Sequence, residues 1–140
     1  MKRANTGQIR VIEAFLAVLI IFSAFAVTAN LTASQNASRN SELASVGLQV
    51  LTKLDSDSTL GMFIEEGNWT GLAKALAIAL PLGVVFNVTV LNDQMQHVNT
   101  ELVSNGGFAS EDIAFVEYVC CGGGQVFQCY VVYLWLGVAS

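Results

Sequence analysis

Positive charge is scarce in this chain of 140 residues. Six Lys and Arg stand against eleven Asp and Glu, which gives a formal net charge of −5. Three of the six basic residues lie within the first ten positions, and the others are Arg39, Lys53 and Lys74. Because a nucleic-acid backbone is bound by clustered Lys and Arg, the sequence argues against DNA or RNA as the main partner.

Histidine is represented by a single residue, His97. An active site or a zinc site needs several convergent side chains of this kind. The paired carboxylates Asp55 with Asp57 and Glu65 with Glu66 fall at predicted helix ends, and we interpret them as solvated. We therefore expect no catalytic residue, no bound metal and no cofactor.

Helix-breaking residues are missing from the N-terminal third. No proline precedes Pro81, and no glycine occurs between Gly7 and Gly47. Val11 to Ala29 is apolar apart from three residues, and a helix of this length nearly crosses a hydrocarbon core. The three polar residues are Glu13, Ser23 and Thr28. The stretch is therefore predicted to be a membrane-length helix.

The basic residues Lys2, Arg3 and Arg10 precede this helix. Basic residues resist translocation, so the N-terminus is expected in the cytoplasm and the rest of the chain outside. A secretory signal peptide would be cut after Ala29 and leave Asn30 first. A plain membrane anchor would need only the length of the helix.

A third interpretation depends on Gly7 and Glu13. A carboxylate six residues after a glycine, at the mouth of an apolar helix, is costly in lipid and needs a partner. Arg10 is three positions away on the same helical face and is one such partner. This arrangement resembles the N-terminus of type IV pilins, especially archaeal pilins with class III signal peptides.

The resemblance implies that a prepilin peptidase removes a leader by cutting between Gly7 and Gln8. It also implies that Glu13 accepts a hydrogen bond from the N-terminal amine of an adjacent subunit and helps, with Arg10, to set register. Two residues depart from the pattern. Thr6 stands where archaeal leaders usually have Lys or Arg, and Glu13 falls one position later than in bacterial pilins.

By the same resemblance, the chain is expected to be a structural subunit of an archaeal type IV-like pilus used in surface adhesion. It would wait in the cytoplasmic membrane and then assemble into a homo-oligomeric helical filament on the cell surface. Implied partners are the prepilin peptidase, a membrane platform protein and a cytoplasmic assembly ATPase. The residues expected in the filament core are Val11, Ile12, Phe15, Leu16, Leu19, Ile20, Phe22 and Phe25.

Other functions remain open. The chain could be a minor pilin of a secretion or DNA-uptake apparatus, or a single-pass anchored or secreted glycoprotein with a binding domain. An archaellin is less favoured, because the charges of Arg10 and Glu13 do not resemble that family's N-terminus. Four Asn-x-Ser/Thr sequons follow the leader, and we predict N-glycosylation at two or more of them. Their asparagines are Asn30, Asn36, Asn68 and Asn87.

The predicted fold is α+β, with a leader over 1–7, a long helix over 8–54 and a small extracellular domain over 55–140. The helix is apolar at first and amphipathic later. Short helices are expected over 59–66 and from a cap at Asn68 or Thr70 to Pro81. Strands are expected over 84–91, 111–121 and 125–136, with a loop over 92–110.

Three cysteines, Cys120, Cys121 and Cys129, lie near the C-terminus. Outside the cell one disulfide is more probable than a metal site. A tight turn at the three glycines 122–124 would put no cysteines in register, whereas a longer loop pairs Cys121 with Cys129. We favour the second pairing, with Cys120 buried or free. Residues 130–138 are apolar on both faces, which predicts a strand covered on two sides.

Overall fold

The computed structural model describes residues 4–109, 112–123 and 126–139, and the side chains of 4–8 and 29–36 lie outside this description. Within it the elements are α1 (Ala4–Ser56), α2 (Thr59–Glu65), α3 (Trp69–Ala79), β1 (Val84–Leu91), β2 (Val103–Ser104), β3 (Ala114–Gly123) and β4 (Phe127–Val138). The predicted α+β class is confirmed: an N-terminal apolar helix, further short helices and a four-stranded antiparallel sheet.

The chain divides into two units, residues 1–38 and residues 39–140, and α1 contributes backbone to both. The first unit contains the apolar part of α1. The second unit, which we call the head, contains the C-terminal part of α1, the two short helices and the sheet. The head has its own hydrophobic core, so its fold is explained by residues 39–140 alone.

The helices of the head end at residues that disfavour helix. Ser58 adopts a left-handed conformation with φ 59° and separates α1 from α2. The Asn68 side chain caps α3 by accepting a hydrogen bond from the backbone N–H of Gly71 at 2.9 Å. Pro81 follows the end of α3, where it cannot continue a helix. The sequence thus predicts these boundaries to within a few residues.

The sheet has the strand order β2-β1-β4-β3, and every pairing is antiparallel. Alternate residues of β1, β3 and β4 turn one face towards the helices, as the period of two in β1 predicts. This inner face and the three helices enclose the core. Its largest fully buried side chains are Leu51, Leu60, Leu72, Leu76, Phe86, Val88, Val90, Val103, Cys120, Val132, Leu134 and Leu136.

Gly47 lets α1 approach the sheet closely. A Cβ at this position would lie 2.5 Å from Leu136 Cδ1, and 3.2 and 3.3 Å from side-chain atoms of Leu134 and Val116. Glycine usually weakens a helix interior by about 1 kcal/mol relative to alanine. Here the missing side chain leaves the space that two strands fill.

The outer edge of β1 is completed by asparagine side chains rather than by a long strand. The Asn105 Oδ1 atom accepts from the backbone N–H of Phe86 at 2.7 Å, and Asn99 Oδ1 accepts from that of Val90 at 3.0 Å. Between these two sites β2 supplies a strand of two residues. The segment predicted as a loop over 92–110 therefore supplies hydrogen-bond partners for the backbone of β1 and covers this edge of the sheet.

The β3–β4 hairpin has the register that pairs Cys121 with Cys129, but it reaches this register through continued strand pairing and not through the longer loop that we expected. Strand pairing continues to Gly123 and Phe127, and it places Cys121 directly opposite Cys129. These two cysteines form a disulfide with Cα atoms 4.0 Å apart, while Cys120 is buried and free. Consecutive residues of a strand point to opposite faces, which explains why Cys120 and Cys121 differ.

Within the single chain, residues 130–138 are fully covered on the inner face only, and the prediction that a second cover lies over the outer face stays a prediction. Leu134 and Leu136 are fully buried on the inner face. Tyr133 and Trp135 lie between them in sequence and are only partly buried on the opposite face. The helices of the head cover one side of the sheet, and within the single chain the other side is only partly covered.

Candidate functional site

The first candidate surface is the apolar part of α1. Ile9–Thr28 is a stretch of 20 residues with a mean hydropathy of 2.5, long enough to cross a membrane. All eight side chains predicted for the filament core, from Val11 to Phe25, are more than half exposed. So large an apolar surface is not left in water. It requires lipid or other protein around it.

The hydroxyl groups in this stretch are satisfied within the helix. Ser23 Oγ donates to the carbonyl of Ile20 at 2.8 Å, and Thr28 Oγ1 donates to that of Ala24 at 2.9 Å. Polar groups that bond to their own helix do not need water or a partner chain. The segment is therefore chemically suited to an apolar surrounding along most of its length.

Arg10 and Glu13 are both exposed and lie one helical turn apart in α1. Their spacing of three places them on neighbouring positions of one face. The predicted cleavage residues Gly7 and Gln8 belong to the backbone of α1, and their side chains fall outside the described residues. The same holds for the sequon residues Asn30 and Asn36.

The two sequons of the head differ in surroundings. Asn68 is exposed and caps α3 through Oδ1. Asn87 is half-buried in the middle of β1. An N-linked sugar is attached to Nδ2, so capping by Oδ1 and glycosylation of Asn68 are compatible. Asn68 is thus accessible for modification, and Asn87 is partly exposed.

A polar cluster joins the end of α1 to β3, and here the interpretation of Asp55 as solvated is wrong. Tyr118 Oη donates to Asp55 Oδ2 at 2.7 Å, and the Cys120 thiol donates to Asp55 Oδ1 at 3.1 Å. Tyr118 and Cys120 alternate along β3 and so face the same side. One carboxylate thus accepts from two positions of a strand more than sixty residues away.

The two donors of this cluster, Tyr118 and Cys120, are held in their neutral, protonated forms. The hydrogen bond to Asp55, followed by burial, raises the pKa of Tyr118 from 10.0 to about 12. Burial, followed by the hydrogen bond to Asp55, raises the pKa of the Cys120 thiol from 9.0 to about 12. A thiol held protonated is a poor nucleophile. The arrangement therefore favours a structural role for Cys120.

Beside the cluster lies an open cavity of about 340 Å³ whose lining includes Asp55, Glu65, Glu66 and Gly122. Its carboxylates include both predicted acidic pairs except for Asp57. Among the described residues, however, no group of three His, Cys, Asp or Glu side chains is arranged to hold a metal ion.

A third surface was not predicted: an aromatic cluster on the outer face of the sheet, in which Phe115 is exposed and Tyr133 and Trp135 are partly buried. The ring centroids of Phe115 and Tyr133 are 5.3 Å apart, those of Phe115 and Trp135 5.5 Å, and those of Tyr133 and Trp135 6.0 Å. The alternation of residues along β4 could have predicted this cluster. Because Leu134 and Leu136 occupy the core face, their neighbours must occupy the other one.

No protein-family model, curated protein or solved structure matches the chain. The class is therefore defined by structure alone: an α+β protein with an N-terminal apolar helix that can serve as a signal or a membrane anchor. The Cys121–Cys129 disulfide is typical of proteins outside the cytosol.

Proposed function

We propose that the chain is a structural subunit of an extracellular archaeal type IV-like pilus. The observation that carries the proposal is the exposed apolar stretch of α1, Ile9–Thr28. The same helix continues into the core of the head, where Leu51 is fully buried. The resemblance to type IV pilins implies that this helix is kept on the mature subunit.

The proposed mechanism is physical rather than catalytic. The subunit waits in the membrane with its apolar side chains in lipid, and assembly transfers them into a bundle of identical helices. Exchange of lipid for protein around exposed residues such as Phe15, Phe22 and Phe25 costs little, because both surroundings are apolar. Glu13 then gains a partner in the bundle and helps to set register. Surface adhesion is the proposed function of the filament, and we propose no enzymatic activity.

The test is to express the full chain in an archaeal host with type IV pilus machinery, shear the cells and examine the released material. Electron microscopy should show filaments containing the chain, and mass spectrometry should give Gln8, intact or cyclised, as its first residue. A first residue of Asn30 would instead identify a secreted glycoprotein. An intact Met1 without filaments would identify a membrane anchor.

Substitution of the glycine at the proposed cut sharpens this test. Gly7→Leu should leave full-length chain in the membrane and abolish filaments. Gly107→Leu is the matched control, since Gly107 is exposed and no atom lies within 4 Å of the position of its Cβ. Filaments of normal yield from Gly7→Leu would contradict cleavage at this site, and loss of filaments in both variants would show a defect in folding or expression.

A further inference from the structure

The outer face of the sheet is covered at two places and open between them. At one end Phe108 lies against Gly137, where an added Cβ would be 2.6 Å from the ring. At the other end Leu91 is buried and forms an isolated bridge with His97. Both covers come from the segment between β1 and β3. The part of the face between them holds the aromatic cluster of Phe115, Tyr133 and Trp135.

The register of the sheet places a glycosylation sequon directly beside this cluster. Asn87 of β1 pairs with Trp135 of β4, and Trp135 pairs in turn with Phe115 of β3. Thr89, the third residue of the sequon, pairs with Tyr133. Directly opposed residues point to the same face with Cβ atoms roughly 4.5 to 5.5 Å apart. The acceptor asparagine and the aromatic side chains therefore share one surface.

The amide of Asn87 is also uncommitted. The side chains of Asn68, Asn99 and Asn105 each cap a backbone N–H of the head. Within the part of the chain that the structure describes, no hydrogen bond of the Asn87 side chain is found. Its Nδ2 atom can therefore carry a sugar without breaking a contact of the fold.

The exposed apolar surface beside this cluster would be stabilised by contact with a group that can pack against aromatic rings. Phe115 is 48% exposed, and Val119, four residues further along β3 on the same face, is 56% exposed. Aromatic rings carry negative charge on their faces, and a sugar ring presents C–H groups with slight positive charge on its own flat side. A sugar stacked on an aromatic ring hides apolar surface while its hydroxyl groups remain in water.

We propose that Asn87 carries an N-linked glycan whose first sugars lie across Trp135 and Phe115, so that attached carbohydrate covers the aromatic surface of the head. The first sugars of the glycan then pack against the protein surface and are not surrounded by solvent on all sides. This inference requires export of the head past a glycosylating enzyme. It does not require filaments, so it stands or falls separately from the pilus assignment.

The test uses the full chain from a glycosylating archaeal host, reconstituted as isolated subunits in lipid nanodiscs. Glycopeptide mass spectrometry measures occupancy of Asn87, and acrylamide quenching of tryptophan fluorescence measures exposure of Trp135. The other tryptophan, Trp69, is only 4% exposed and contributes little to quenching. Thr89→Ala removes the sequon, whereas Thr89→Ser keeps it and is the matched control. Asn87→Gln is a second variant without the sequon.

We expect Asn87 to be occupied in the natural chain and in Thr89→Ser. Loss of the glycan in Thr89→Ala and Asn87→Gln should raise the quenching constant about twofold, because one ring face of Trp135 becomes open to solvent. Thr70→Ala, which removes only the Asn68 sequon, should leave quenching unchanged. An unmodified Asn87, or equal quenching with and without its glycan, would overturn the proposal.

Discussion

The Tyr118 hydroxyl donates a hydrogen bond of 2.7 Å to Asp55 Oδ2, across a separation of 63 residues. Cys120 uses the second oxygen of the same carboxylate. Asp55 lies in the last turn of α1, so these two bonds hold the end of that helix against β3. The core between the helices and the sheet is apolar, and Asp55 adds a directional contact that fixes the position of the helix end.

Asp55→Asn should destabilise the head by roughly 1 to 3 kcal/mol, because hydrogen bonds to a charged acceptor are worth that much and the amide cannot accept at both positions. The measurement is urea denaturation of the full chain in detergent micelles, followed by fluorescence of the buried Trp69. Asp57→Asn is the matched control, since Asp57 is exposed two residues away. Equal effects of the two substitutions would show that Asp55 contributes only charge.

Stability of the head should fall as pH rises from about 9 to about 12. The pKa of Tyr118 is raised from 10.0 to about 12 by its bond to Asp55, and burial raises the pKa of Cys120 from 9.0 to about 12. In this window the unfolded chain loses protons that the folded chain keeps, so folding is progressively disfavoured. Below pH 9 the stabilising contribution of both groups is complete.

Replacement of each group identifies its share of this pH dependence. Cys120→Ser keeps a donor for Asp55 but removes the thiol, so the fall in stability should begin nearer to pH 10. It also prevents exchange between a free thiolate and the Cys121–Cys129 disulfide in the unfolded chain. Tyr118→Phe should make the decline between pH 10 and 12 less steep, because only Cys120 then contributes to it in that range. Unchanged pH profiles in both variants would contradict the assignment.

Local patterns were sufficient for the helices and the three long strands of the fold, but not for β2 or for the cluster at Asp55. The apolar run, the cap at Asn68 and the alternation of β1 are each formed by residues that are close together in sequence. The sequence therefore predicts them. An aspartate at a helix end looks solvated when its neighbours in sequence are polar. Its partners Tyr118 and Cys120 are distant in sequence, and only the folded sheet brings them to it.

The coverage of the two faces of the sheet is likewise only partly predictable from the sequence. The sequence indicates which residues of β1 share a face, but not how many layers cover it. Residues 130–138 were expected to be buried on both sides because they are apolar throughout. The helices cover one side only, and the partnership of Asn87 with Trp135 follows from a strand register that no local pattern specifies.

Gly47→Val should destabilise the head by about 1 to 3 kcal/mol through overpacking. The added side chain would meet Leu136, Leu134 and Val116, and the two leucines are fully buried and cannot move aside into solvent. Ser45→Val is the matched control because it introduces the same side chain at an exposed position of the same helix. Urea denaturation of both variants measures the difference. A stabilised Gly47→Val chain would show that the interface has unused space.

Glu13→Ala provides a test of the pilus assignment that does not involve the head. Glu13 is exposed in the isolated chain and lies within the membrane-length stretch, so insertion should be unaffected by a smaller, uncharged residue. In the proposed bundle the carboxylate gains a hydrogen bond to a charged group, worth roughly 1.5 to 3 kcal/mol, or about ten- to hundredfold in an association constant.

The yield of sheared filaments should therefore drop by at least about tenfold for Glu13→Ala, while the amount of chain in the membrane stays the same. Glu42→Ala, an exposed glutamate of the same helix within the head, is the matched control and should assemble normally. Immunoblots of the sheared and membrane fractions measure both quantities. Normal filament yield from Glu13→Ala would mean that the carboxylate only marks the membrane boundary, and that apolar contacts alone set the register of the bundle.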